Sequence, residues 1–141
     1  MNPVPCAVLG AGSFGTCLAI LLAERGYSVA VYDARFAKPL DLDLLRELAD
    51  SGMPVITVED HQRIGGFGSC VIEACHALGL STRQFHCLGL PDRWIYQGSR
   101  GDQQAEAGID AAGIARTAAE ILDRGAAAKV EKRVGTMKVA G

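Results

Sequence analysis

Apolar and polar positions along this chain form blocks that read in turn as strand and helix. Val4–Leu9 is a short apolar run and reads as a buried strand. Ser13–Arg25 places Leu18, Leu21 and Leu22 on one helical face, with Gly26 as its stop. Tyr27–Tyr32, rich in β-branched and aromatic residues, reads as a second strand. After Pro39, Asp41 is positioned to cap a helix striped by Leu44, Leu45 and Leu48 and ended by Gly52. Val55–Val58 is a third strand. The glycine-rich "EDHQRIGGFGS" then runs into a helix with Phe67, Val71, Ile72, Cys75 and Leu78 at helical spacing and Gly79 as its stop. Gln84–Leu88 is a fourth strand, and "LGLPDRWIYQGSRGD" a turn-rich connection. Asp110 caps a last helix whose Ile114, Ala118, Ile121 and Leu122 share a face.

Strand and helix alternate four times, which predicts an α/β fold: three layers, a mainly parallel sheet of at least four strands, helices on both faces. Residues 1–124 would form that single domain. From Gly125 the composition turns to Ala, Gly and Lys, so 125–141 reads as a loosely ordered, mildly basic tail. No internal repeat is visible.

Composition narrows the function classes only modestly. With 49% hydrophobic and 21% charged residues among 141, the chain can bury one core. A net charge of −2 gives no global case for nucleic acid or an anionic membrane. The apolar run Cys17–Ala23 falls short of the ~20 residues a spanning helix needs. With no basic leader at the start, the expectation is a cytoplasmic protein. Its five cysteines form no CxxC pair and read as reduced, mostly buried thiols. Cys70, Cys75, His76, His86 and Cys87 do not match a zinc spacing, so no metal site is assigned.

Two stretches carry candidate chemistry. In "VLGAGSFGTCLAILLAERGYSVAVYDARFAKPLD", Gly10, Gly12 and Gly15 spell GxGxxG between a strand and a helix, and Asp33 follows the next strand. Such glycines let the backbone approach a pyrophosphate, and such an acid accepts from a ribose hydroxyl. NAD binding through Gly10, Gly12, Gly15 and Asp33 is therefore one reading. Small residues at a tight strand-to-helix turn, with Asp33 as a turn residue, are the other. The opening resembles that of NAD-dependent glycerol-3-phosphate dehydrogenase. No region after Asp33, however, reads as a substrate domain.

From Asp33 onward, "DARFAKPLD", "VITVEDHQRIGGFGSCVIEACHALGL" and "LGLPDRWIYQGSRGDQQAEAGIDAAGIARTAAEIL" resemble the C-terminal, transketolase-type domain of 1-deoxy-D-xylulose-5-phosphate synthases. The resemblance runs from about Tyr27 to Leu122. It implies a parent enzyme that uses thiamine diphosphate and magnesium to join pyruvate to glyceraldehyde 3-phosphate in non-mevalonate isoprenoid synthesis. It also implies three α/β domains per chain and a homodimer, with the last domain supporting assembly rather than holding cofactor. The chain has no GDG motif, and its sole asparagine is Asn2, so it lacks the family's diphosphate–magnesium ligands. It also departs from the family at Gln97, where a histidine is usual, and at Trp94, where phenylalanine is common.

No catalytic residue and no bound cofactor are assigned to this chain. The partners are the remaining synthase domains or subunits. By the same resemblance His61, Gly65, Gly66, Phe67 and Gly68 form an association surface, with Phe67 as an exposed anchor; a buried turn with Phe67 in the core is the opposing reading. Lone His61 is more simply a capping or interface residue than a proton carrier. Arg93 is expected to pair with an acid, and Trp94 and Tyr96 to fill a core edge or an interface. A small NAD(P)-binding protein and a stand-alone interaction domain are the alternative functions.

Overall fold

The computed structural model describes residues 5–9, 28–34 and 36–137, with side chains of 6–9, 28–34 and 36–124. The elements run β1 (Pro5–Leu9), β2 (Ser28–Tyr32), α1 (Leu42–Ser51), β3 (Val55–Gln62), α2 (Phe67–Ala77), β4 (Phe85–Leu90), α3 (Arg100–Ala107) and α4 (Ala111–Met137). The helix predicted over Ser13–Arg25 and the glycines of the GxGxxG motif lie outside the described residues.

The four strands form one parallel sheet in the order β2-β1-β3-β4. Strand alternation sorts its side chains onto two faces. Cys6, Val8 and Ile56 point to one face and pack with Ile114, Ala115, Ala118 and Leu122 of α4. Ala7, Leu9, Val55 and Phe85 point to the other and pack with Leu45 and Leu48 of α1 and Val71 and Cys75 of α2. The result is the expected three-layer α/β sandwich. Its central residues, among them Leu48, Ile56 and Ile114, are at most 1% exposed. Each such aliphatic side chain stabilises the fold by about 1.5–3 kcal/mol.

Local signals place the helices. Asp41 accepts from the Leu44 amide at 3.0 Å and caps α1, and Gly52 closes that helix with φ +66°. Asp110 accepts from the Gly113 amide at 2.9 Å at the start of α4. The turn-rich connection holds an unpredicted helix, α3. Ser99 and Asp102 form a reciprocal capping box there. Its single buried residue is the polar Gln104, so no apolar stripe marked it. The backbone of α4 continues to Met137, past the apolar stripe that ends at Leu122 and into the segment read as a tail.

Candidate functional site

The C-terminal ends of β3 and β4 carry most of the residues the sequence singles out. Strand β3 runs past its predicted end at Val58 to Gln62, because its pairing with β4 slips there. Val58 pairs with Leu88 and Gln62 with Leu90, so Glu59, Asp60 and His61 bulge opposite Gly89 alone. Gly89 makes the bulge possible. A Cβ at that position would stand 2.9 Å from Glu59 Cγ and 2.9 Å from the His61 carbonyl oxygen.

The bulge aims each acid at a different target. Glu59 turns to the start of α2, where its carboxylate accepts from the Phe67 amide at 2.7 Å and the Gly68 amide at 2.9 Å. A carboxylate on the free N–H groups of a helix start satisfies orphan donors and complements the helix dipole. Asp60 turns the other way. Its Oδ2 accepts from Arg100 at 2.7 and 3.1 Å and from Gln104 at 3.1 Å, tying α3 to the sheet. His61 is exposed, and its side chain makes no hydrogen bond or ion pair among the described residues.

The glycines of the loop follow from the Glu59 contact. Gly66 is buried, and a side chain there would overlap the Glu59 carboxylate and the Gln62 carbonyl. Gly68 is also buried, and a Cβ there would stand 2.7 Å from Thr57 Oγ1 and 2.8 Å from Cys87 Cβ. Gly65 turns the chain with φ +76°. Ser69 Oγ accepts from the Gly65 amide and donates to the Arg63 carbonyl, both at 3.0 Å, and so closes the turn. Phe67 is half-buried and packs against the α1–α2 core. That corrects the expectation of Phe67 as a free-standing anchor: its place at the first turn of α2 directs it inward. The exposed apolar residue of the loop is Ile64, at 62%.

Among the other nominated residues, Arg93 pairs as expected, with Glu106 at 2.6 Å. Trp94 and Tyr96 do not fill a core edge; they are 82% and 74% exposed. Asp33 is exposed at the end of β2 and lines a groove of about 330 Å³ with Leu9, Phe36, Leu45, Phe67 and Val71. The structure thus brings Asp33 and Phe67 to one groove.

Nucleophiles and metal ligands find little support. Burial pushes the Cys6 thiol up to about 11 and raises Cys75 in the same direction, holding both as inert thiols at neutral pH. Cys6, Cys70, Cys75 and Cys87 are free. Among the described residues no group of three or more His, Cys, Asp or Glu side chains is arranged to hold a metal ion. No described helix is long and apolar enough to cross a membrane. Sequence reasoning missed Glu59 as the cap of α2 and the convergence of Arg100 and Gln104 on Asp60. The available signal for the second was their i, i+4 spacing behind the Ser99 cap.

Comparison with known proteins gives this geometry its family. The family described as "Transketolase, C-terminal domain" matches residues 13–114, well over half of the chain. The match runs through Asp33 and both C-terminal loops. A 1-deoxy-D-xylulose-5-phosphate synthase of Magnetococcus marinus is 46% identical over 106 residues, which is 74% of this chain and 17% of that protein. That of Thermus thermophilus is 46% identical over 109 residues, 76% of this chain and again 17% of the relative. A probable chloroplastic synthase of Capsicum annuum is 46% identical over 82% of the chain. The chain therefore spans about a sixth of the length of the curated relatives it matches. A solved structure described as "Split gene transketolase, inactive beta4 tetramer" superposes with a TM-score of 0.68 at 25% identity, over 86% of this chain and 40% of that one. With strands β2–β4, the bulge of β3 and the capped glycine loop inside that match, the chain belongs to the transketolase C-terminal domain family.

Proposed function

We propose that the chain serves as the C-terminal domain, or a separately encoded subunit, of a thiamine-diphosphate-dependent 1-deoxy-D-xylulose-5-phosphate synthase in the cytoplasm. Its role is structural: it supports assembly with the other synthase domains and a second copy, and holds no complete active site. The observation that carries the reading is 46% identity to such synthases over three quarters of this chain and only 17% of theirs. The structural relative described as a split-gene transketolase supports the subunit version. Residues 1–124 would be the functional unit, with 125–141 as its extension.

The cofactor belongs to the rest of such an enzyme. Thiamine diphosphate would supply the carbanion chemistry when bound, and magnesium would need oxygen ligands from the protein. The carboxylates at the C-terminal end of this sheet do not fit as such ligands. Both Glu59 oxygens are engaged by the start of α2, and Asp60 Oδ2 is shared by Arg100 and Gln104. No catalytic step is therefore assigned to this chain.

The association surface we assign to the glycine loop is presented by His61, Ile64 and Gly65, all exposed, with Gly66, Phe67 and Gly68 setting the backbone behind them. The dinucleotide reading is not favoured, because the family match runs through Gly15 and Asp33, two of the residues that reading would use. The test is reconstitution. The chain is mixed with a Magnetococcus marinus synthase truncated of its matching segment, and product is measured from pyruvate and glyceraldehyde 3-phosphate with thiamine diphosphate and magnesium. Activity from the mixture and none from either part supports the reading; activity of this chain alone, or none from the mixture, contradicts it.

A further inference from the structure

The connection after β4 spends most of its polar contacts on holding itself still. Arg93 Nη1 donates to Glu106 Oε1 at 2.6 Å and to the Trp94 carbonyl at 3.3 Å, and its Nη2 donates to the Glu106 carbonyl at 2.9 Å. The second Glu106 oxygen accepts from the Tyr96 amide at 3.4 Å, and Gln103 donates to the Tyr96 carbonyl at 3.2 Å. Asp60 then anchors α3 through Arg100 and Gln104. A short loop is thus locked to a short polar helix, and the helix to the sheet. Among the side chains this frame presents are two large aromatics. Trp94 is 82% exposed and Tyr96 74% exposed. Ile64, 62% exposed, stands at the same end of the sheet, where the Arg63 amide donates to the Leu90 carbonyl at 3.0 Å.

Large aromatics on a rigid backbone lose little conformational freedom on binding and are the side chains most enriched at interface centres. The two arginines beside them are paired, Arg93 with Glu106 and Arg100 with Asp60, which leaves the exposed Asp92 as the charge next to the loop. A partner for this surface needs apolar pockets rather than a strong field of either sign, which favours a protein face over nucleic acid or an anionic membrane. Each aromatic offers roughly 150–250 Å², and a stable interface needs about 800 Å² per partner, so the pair can form the centre of one. What lies against it follows from chain length. The matched relatives carry about five-sixths of their length outside the segment this chain represents.

We propose that Trp94 and Tyr96 form the apolar anchor by which this domain docks onto the remaining domains of its parent synthase, an inference that rests on the function proposed above. The loop is preorganised for that contact by Arg93 and Glu106.

The chain contains a single tryptophan, so Trp94 can be watched alone. The chain is labelled with 5-fluorotryptophan and titrated with unlabelled Magnetococcus marinus synthase truncated of its matching segment. Fluorine NMR reads the solvent isotope shift of Trp94, and sedimentation reads association. The expected result is a complex in which the H2O–D2O shift of Trp94 collapses. Trp94→Ser with Tyr96→Ser should weaken that complex by tenfold or more, on the order seen for interface anchors. Circular dichroism on the same samples checks that the double variant keeps its fold, and the label on the wild type reads the contact without any substitution. A complex in which Trp94 stays solvent-exposed, with the double variant bound as tightly, overturns the anchor while leaving the proposed function standing. No complex at all overturns both. Loss of the isotope shift in the isolated chain with rising concentration assigns the surface to a second copy instead, and so overturns the proposal.

Discussion

Glu59 closes the start of α2 from eight residues away, its carboxylate 2.7 Å from the Phe67 amide and 2.9 Å from that of Gly68. The glycine loop therefore has its anion built in: the N–H groups that a phosphate would seek in such a loop are filled by the protein's own side chain. Glu59→Ala should destabilise the domain by about 1–3 kcal/mol, since it removes a charge-assisted cap and orphans two amides. For a chain of this size that is a fall in Tm of roughly 3–10 °C, readable by circular dichroism. Glu59→Gln, which keeps an acceptor, should lose less. No change in Glu59→Ala would show that the cap carries no stability.

Gly68 tests the packing behind the same turn. A Cβ there would press on Thr57 Oγ1 at 2.7 Å and Cys87 Cβ at 2.8 Å. These neighbours belong to β3 and β4 and cannot easily give way. Gly68→Ala should cost about 1–3 kcal/mol as an overpacking change. Thr57 offers the opposite sign. Its hydroxyl is buried with no hydrogen-bond partner among the described residues. Thr57→Val keeps the shape and removes the orphan, so it should be neutral or stabilising by up to about 1 kcal/mol in urea unfolding. A clear loss in Thr57→Val would mean that the hydroxyl does have a partner.

These positions also show how much was legible in the sequence. The β1–β4 cores and the Asp41 and Gly52 ends of α1 follow from apolar spacing and capping chemistry, because each residue's role there is local. The extent of β3 was not legible: Glu59, Asp60 and His61 are polar, and only pairing with Gly89 of another strand makes them a bulge. Helix α3 was missed because it is held by ion pairs and Gln104 rather than an apolar stripe. Phe67 was expected to stand free, yet whether an apolar residue beside glycines faces in or out depends on where the next helix packs.

His86 sets a pH dependence. Burial lowers its pKa first, and the positive Arg124 on α4 lowers it further. The folded state then binds this proton less readily than the unfolded state, whose histidine titrates near ~6.5. The stabilising contribution is complete above about pH 6.5 and is lost as pH falls below it. Stability should decline from pH 7.5 to 5.5, and His86→Gln should flatten that slope. Arg124→Gln should make the decline smaller, but by less than His86→Gln does, since charge is the smaller of the two causes. An identical slope in His86→Gln would exclude this group.

The Asp60 junction predicts a local effect. Asp60→Ala removes the acceptor for Arg100 and Gln104, and Gln104 is only 7% exposed. Exchange of α3 amides should accelerate well beyond that of the β1 and β3 amides, because the anchor of a weakly packed element is lost. Unchanged α3 protection would show that another contact holds the helix.

The central claim is that this family member serves a synthase whose chemistry lies elsewhere, and one assay addresses it most directly. Pyruvate, glyceraldehyde 3-phosphate, thiamine diphosphate and magnesium are supplied to the pure chain, to the truncated Magnetococcus marinus synthase, and to the two together, and 1-deoxy-D-xylulose 5-phosphate is quantified. The account predicts product only from the two together. Turnover by the chain alone, or a mixture as inactive as its parts, would contradict it.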